Sequence, residues 1–369
     1  MLQSFATSYV IENMGYDCEY IVYRKKKDPA FYLKALPRLL DRTLLNDKLQ
    51  VLQKKTALML HPEAKKNNDV RYRAFERFQK KYYRSFSKEL YGYDELCKGA
   101  KEYDTVLVGS DQLWLPGGLA TNFYNLMFVP DGIRKISYAT SFGVSSIPKR
   151  QYKKTKEYLD RIEYISVRER TGAKIVKEVS GRDAVIVADP TLLLDRSQWE
   201  SVIPDRRPVD EPYVFCYFLG KNEKHRDAAE EFAKKTGLKI VSTPFLDSYV
   251  KRDEHFGDQQ LFDVGPDDFV NLIRNAEYIL TDSFHGSVFS IINHKKFVTF
   301  NRFDDGSSNS RNSRIDNLCE LLGIKDRRYD AGADIAQTAK APVDYESVDE
   351  KLASLRAESL LFLKNALEG

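Results

Sequence analysis

The stretch YILTDSFHGSVFSIIN, Tyr278–Asn293, is where the fold reads most directly. Tyr278–Thr281 has the β-branched and aromatic content of a short buried strand, and Ser287–Asn293 reads as a helix. Between them lies a turn of small and polar residues. Strand, turn and helix in that order form the half-unit of a parallel α/β sheet. At such a junction the backbone N–H groups of the helix start face outward and favour an anion.

The same rhythm extends in both directions. Downstream, Phe297–Phe300 reads as the next strand. Upstream come a strand at Tyr213–Leu219, a helix at Glu223–Thr236 stopped by Gly237, a strand at Lys239–Thr243 and a helix at Pro266–Arg274. Further back, strands are expected at Thr105–Gly109, Lys135–Ser141, Tyr164–Val167 and Val185–Val187, with helices at Gln151–Arg161 and Thr171–Val179. Residues 196–211 are polar, charged and proline-bearing without periodicity, and their later part reads as a linker. Two runs of α/β units about a linker imply an N-terminal Rossmann-like lobe over 1–195 and a C-terminal one over 212–345. A ligand cleft is expected at the carboxyl ends of the strands. Residues 30–84 read as a helical excursion on the first lobe. Residues 346–369 read as a terminal helix packing back across both lobes.

Bulk properties narrow the function. The chain has 369 residues and a net charge of +4, and no apolar run approaches the roughly 18 residues of a membrane span. Met1–Gly15 lacks a basic n-region and a small-residue cleavage site, so a secretory leader is not expected. Cys18, Cys97, Cys216 and Cys319 are far apart, with neither metal-ligand nor disulfide spacing, which fits a reducing cytoplasm. Residues 1–100 hold 20 Lys and Arg against 12 Asp and Glu, a net +8 that leaves −4 for the remaining 269. Such a face is either a solvated helical surface or one that meets an anionic acceptor or the inner face of a membrane. No nucleic-acid motif is present, and no nucleic-acid partner is expected.

Three segments carry chemistry. In Asp282–Ser287, His285 is the side-chain type most used for proton transfer, and Ser283, Gly286 and Ser287 suit a tight approach to phosphate; the plain alternative is a capped helix start. In Val108–Trp114, Ser110, Asp111 and Gln112 offer hydroxyl, carboxylate and amide groups, and Trp114 a plate on which a sugar could stack. The plain alternative is a turn with a half-buried Trp. Arg168, at the end of the Tyr164–Val167 strand, suits a carboxylate or phosphate, unless it merely pairs with Glu169. Arg302 and Arg314 add cations to the second lobe. No Walker A run, G-x-G-x-x-G, D-x-D or zinc spacing occurs, so neither a metal nor a bound cofactor is expected.

Taken in order, LQSFATSYVIENMGYDCEYIVY (Leu2–Tyr23), YDTVLVGSDQLW (Tyr103–Trp114), ISYATSFG (Ile136–Gly143), YISVRERTG (Tyr164–Gly172), VADPTLLL (Val187–Leu194), TDSFHGSVFSIINHKKF (Thr281–Phe297) and NSRIDNLCELLGI (Asn312–Ile324) resemble the polysaccharide pyruvyl transferase family. GSDQLW with DSFHGS is the specific combination. The resemblance implies a two-lobed, GT-B-like glycosyltransferase fold. It also implies transfer of the enolpyruvyl group of phosphoenolpyruvate onto two hydroxyls of a cell-surface saccharide, nucleotide- or lipid-linked or polymeric, giving a cyclic ketal and phosphate. It casts His285 as acid/base and Arg168, Ser283, Gly286, Ser287, Arg302 and Arg314 on the donor side. Ser110, Asp111, Gln112 and Trp114 fall on the acceptor side.

Two departures stand out. Some members carry Arg where this chain has Ser283, so either Arg302 or Arg314 is expected to stand in or the donor is expected to differ. The family opens with a strand and loop ahead of the LQ-x-x-A helix, so a first strand is expected to be missing beside 17–23 and 105–109. A nucleotide-sugar glycosyltransferase and a non-catalytic saccharide-binding remnant are the alternatives on the same scaffold.

Overall fold

A computed structural model describes residues 1–26, 56, 60–245, 249–303 and 312–369. Most of the helical excursion read at 30–84 lies outside them. The chain forms two compact units. One joins Leu2–Leu52, Tyr83–Leu193 and Leu355–Gly369; the other joins Gln53–Tyr82 with Leu194–Ser354.

In the first unit β1 (Tyr23–Arg24) pairs with β2 (Leu90–Tyr91) as a separate parallel ribbon. The run 17–23, read as a whole strand, contributes little more than these residues and an isolated bridge from Tyr20 to Phe86. The main sheet is parallel and sequential: β3 (Thr105–Asp111), β4 (Arg134–Thr140), β5 (Tyr164–Val167) and β6 (Val185–Ile186). β3 alternates half-buried and buried residues, with Val106 and Val108 inward beside Leu159, Ile165 and Val176. Among the described strands β3 pairs only with β4, and a groove of about 790 Å³ runs beside it. The end of the terminal helix Tyr345–Glu368 belongs here: Ser359 Oγ accepts the Ala188 N–H at 2.9 Å, and Arg356 Nε donates to the Leu192 carbonyl at 2.9 Å.

Among the described residues the second unit holds five parallel strands, β7 (Tyr213–Tyr217), β8 (Lys239–Ser242), β9 (Gln259–Gln260), β10 (Tyr278–Thr281) and β11 (Lys296–Thr299). Their spatial order is β11-β10-β7-β8-β9. The chain winds outward from β7 to β9, crosses back over β7, and winds the other way through β10 and β11. This is the doubly wound order, and its reversal point lies between β7 and β10. Helices Glu223–Thr236, Pro266–Asn275 and Phe284–Ile292 connect the strands.

Gly237 takes φ 71° and closes the first of these helices, the left-handed stop that glycine provides without steric cost. The start of the stretch read as featureless, 196–211, is a helix, Arg196–Val202. Asp195 and Gln198 form a reciprocal capping box there, and Trp199 is fully buried against Phe289. Helix Pro62–Tyr82 also belongs to this unit rather than to the first: Arg71 donates to the carbonyls of Leu261 and Phe262 at 3.1 and 2.8 Å.

Candidate active site

At the reversal point of the second sheet, two loops are fastened to each other. Asp282, the residue after β10, is 1% exposed, and its two carboxylate oxygens accept the N–H groups of Leu219 (2.7 Å) and Gly220 (2.8 Å), in the loop after β7. Gly220 is required by closeness: a Cβ there would stand 2.8 Å from Asp282 Oδ2. The other side of the same loop is held by Arg226. This buried guanidinium donates to the carbonyls of Gly220 and Asn222 at 2.8 and 3.1 Å and pairs with Asp253 at 2.8 and 3.1 Å. Burial raises the Asp282 pKa, opposed by Arg302 and the two backbone N–H groups.

The helix Phe284–Ile292 starts directly on this clamp. Ser283 is its N-cap, accepting the Gly286 N–H at 3.3 Å. A Cβ on Gly286 would meet Thr281 Oγ1 at 2.6 Å, so only glycine lets the helix approach β10 this closely. Ser287 is fully buried, its hydroxyl bonded to the Ser283 carbonyl (3.2 Å) and to Thr299 Oγ1 (3.1 Å). These three residues, expected to touch a donor, therefore serve the helix start in this structure. His285 differs: it is half-buried on the first turn, its ring edge-on to Phe284 with centroids 5.4 Å apart.

Arginines collect around the same strand ends. Arg302 donates to the Asp282 carbonyl at 3.0 Å, its Nε lies 3.6 Å from Asp282 Oδ1, and its side chain is 20% exposed. The Arg314 guanidinium sits 5.7 Å from the Phe284 ring centre. Arg328, which no sequence motif singled out, contacts Asn301, lies 3.5 Å from Thr299 Oγ1 and pairs with Asp316 at 2.9 Å. Among the described residues, three arginines against Asp282 and Asp316 give this edge of the sheet a net positive charge. Such a field suits a carboxylate or phosphate group.

The first unit carries a polar cluster at the carboxyl ends of its own four strands, with the opposite charge balance. Asp189, following β6, is 1% exposed and takes bonds from Arg168 Nη1 (2.6 Å), Ser110 Oγ (3.0 Å), and Thr191 N (3.0 Å) and Oγ1 (2.7 Å). Arg168 also lies 3.5 Å from Asp111 and 3.9 Å from Glu169. Burial works against the Arg168 charge, but Asp189, Asp111 and Glu169 outweigh it and raise its pKa. Glu169 Oε1 in turn accepts from Ser141 Oγ at 2.7 Å. One arginine among three carboxylates makes the cluster net negative.

Arg168, expected to grip a donor anion, is thus a buried ion-pair centre. Trp114 is corrected as well. It is 5% exposed, packs against Phe142 and Tyr158, and donates Nε1–H to the Tyr124 carbonyl at 3.0 Å, so it offers no open plate for a sugar. Asp111 keeps a 44% exposed side chain, and the Gln112 amide nitrogen is buried without a hydrogen-bond partner. Asp189, Arg226, Asp253 and Arg328 are residues that sequence reasoning missed. The DP step after the Val185–Ile186 strand could have flagged Asp189; nothing local marks Asp253. Among the described residues no group of His, Cys, Asp and Glu is placed to hold a metal. No helix there is long and apolar enough to cross a membrane.

The chain resembles several solved structures at low identity. The UDP-GlcNAc 2-epimerase of Methanocaldococcus jannaschii is 12% identical, with 67% of this chain and 79% of that chain covered and a TM-score of 0.41. A variant of the wall teichoic acid polymerase TagF is 12% identical, with coverages of 88% and 98% and a TM-score of 0.43. MurG of Acinetobacter baumannii is 8% identical, with coverages of 92% and 95% and a TM-score of 0.39. No protein with a curated description matches the sequence. Residues 1–305, by contrast, match the polysaccharide pyruvyl transferase family model. The chain belongs to the polysaccharide pyruvyl transferase family.

Proposed function

We propose that the protein transfers the enolpyruvyl unit of phosphoenolpyruvate to two hydroxyls of a saccharide, forming a cyclic ketal. The observation that carries this reading is the conjunction of family membership with a cationic edge at the reversal point of the second sheet, where Arg302 bonds the Asp282 carbonyl and Arg314 lies over the ring of Phe284, the residue before His285. Phosphoenolpyruvate presents a carboxylate and a phosphate, and arginines at strand ends bind both kinds of group. In the reaction the methylene carbon gains one proton and becomes a methyl group. The neighbouring carbon loses its bond to the phosphate oxygen and gains bonds to both sugar oxygens. The second hydroxyl proton leaves with phosphate. His285 is the group suited to carry these protons, and Arg302 and Arg314 to offset the charge on departing phosphate. Asp111 and Gln112 are the first-unit groups proposed to face the acceptor.

The test is phosphate release from phosphoenolpyruvate with a panel of saccharide acceptors, followed by mass spectrometry of the product. Acceptor-dependent release, with a product heavier than the acceptor by one pyruvic acid less one water, supports the reading. Release of a nucleotide from a sugar nucleotide, with none from phosphoenolpyruvate, overturns it.

A further inference from the structure

A second cavity, of about 490 Å³, opens within the second unit at the carboxyl ends of β8 and β9. That volume lies in the range of roughly 300–1,000 Å³ typical of small-molecule sites. One wall is aromatic: the His61 and Tyr249 rings stack with centroids 3.9 Å apart and planes 15° from parallel. A single carboxylate orders both rings. Glu254 Oε1 accepts the Tyr249 hydroxyl at 2.7 Å and lies 4.0 Å from His61 Nδ1. The wall also includes Asn68, which is 5% exposed with its amide nitrogen lacking a hydrogen-bond partner. Asn68 sits on the helix Pro62–Tyr82, anchored by Arg71 to the segment after β9, so this wall is fixed in place.

The chemistry of the lining selects the ligand. No Lys or Arg is found among the described residues of the wall, while Glu63 and Glu254 are. The described lining therefore offers no Lys or Arg to the anions that suit the edge near His285. Flat ring faces pack against the C–H faces of a pyranose, and carboxylates and amides bond to its hydroxyl rim. The cavity is also joined to the clamp: Asp253 contributes to its lining and pairs with Arg226, which holds the Gly220 carbonyl. We infer that this cavity is a subsite for an uncharged hexopyranose ring of the saccharide, apart from the ring that is modified. The identification of the ring as part of the acceptor rests on the proposed function; the binding itself does not.

The experiment uses the full chain with methyl β-D-glucopyranoside, methyl β-D-galactopyranoside and methyl α-D-mannopyranoside, observed by saturation-transfer NMR. At least one glycoside should show saturation of its ring protons. That binding should weaken about tenfold, equivalent to about 1.4 kcal/mol, in Tyr249→Ala and in His61→Ala. His61 is partly exposed, so its variant is expected to fold even if Tyr249→Ala does not, and Tyr249→Phe should keep most of the binding. Absence of saturation with all three glycosides overturns the inference, as does saturation unchanged in His61→Ala or displacement of the glycoside by inorganic phosphate. If wild type releases phosphate from phosphoenolpyruvate but the acceptor KM is unchanged in His61→Ala, the subsite fails while the proposed function stands. Glycoside binding without any such release leaves the subsite and removes the function.

Discussion

Asp282 Oδ2 accepts the backbone N–H of Gly220 at 2.8 Å, so the loop that ends β7 is fastened by the side chain that follows β10. The partner oxygen does the same for Leu219 at 2.7 Å. These bonds close the reversal point of the sheet and fix the platform from which the His285 helix starts.

Replacing Asp282 by Ala should leave both N–H groups without their acceptor and cost about 2 kcal/mol or more, since each buried unsatisfied donor typically costs 1–3 kcal/mol. Asp282→Asn retains one acceptor oxygen and should cost less. Urea unfolding of the three proteins measures this. Equal midpoints would mean that the clamp contributes nothing to stability.

Arg168 should behave as a structural ion rather than as a ligand anchor. Removing one partner of a buried ion pair typically costs about 3–5 kcal/mol. Arg168→Ala leaves Asp189 buried at 1% exposure and is expected to lower the melting temperature sharply. A variant that melts like wild type but shows a raised KM for phosphoenolpyruvate would return Arg168 to the donor site.

His225 gives the fold a pH dependence. It is 4% exposed beside Phe218 and Phe300, and burial, then the nearby Arg226 charge, lowers its pKa from 6.5 to about 4. Below pH 6.5 the unfolded chain takes up a proton that the folded chain refuses until about pH 4. Stability is therefore present above pH 6.5 and declines as pH falls through that window, by up to about 3 kcal/mol from this residue. His225→Phe should flatten the dependence of the urea midpoint between pH 7 and 4.5. An identical slope in the variant would contradict the assignment.

Much of this arrangement was legible in the sequence because buried parallel strands announce themselves. Tyr164–Val167 and Tyr278–Thr281 are uninterrupted runs with polar turns after them, and the structure has both with the expected bounds. β9 was not legible: Gln259–Gln260 is two polar residues, and only its neighbour β8 makes it a strand. The helix Arg196–Val202 was missed although Asp195 and Gln198 carry the capping-box spacing, because charge and a following proline masked it. At the site, residue types indicated chemistry but not availability. Trp114 and Arg168 have side chains a ligand could use, yet their contacts depend on residues far along the chain, Tyr158 and Asp189. Local sequence does not encode whether such a partner arrives.

Gly286→Ala tests the close approach of the His285 helix to β10. The added methyl would meet Thr281 Oγ1 at 2.6 Å, and overpacking of this kind costs about 1–3 kcal/mol. Turnover should fall with stability, because His285 is displaced along with the helix start. Unchanged stability and turnover would show that β10 yields without consequence.

The central claim is that His285 carries protons in transfer from phosphoenolpyruvate to a saccharide. Its most direct test is acceptor-dependent phosphate release by wild type and His285→Ala, with both proteins checked for equal melting temperature. General acid–base catalysis is typically worth about 10²–10⁴ in rate, so the account expects kcat to fall by that factor in a folded variant. A folded His285→Ala protein that releases phosphate at the wild-type rate would contradict it.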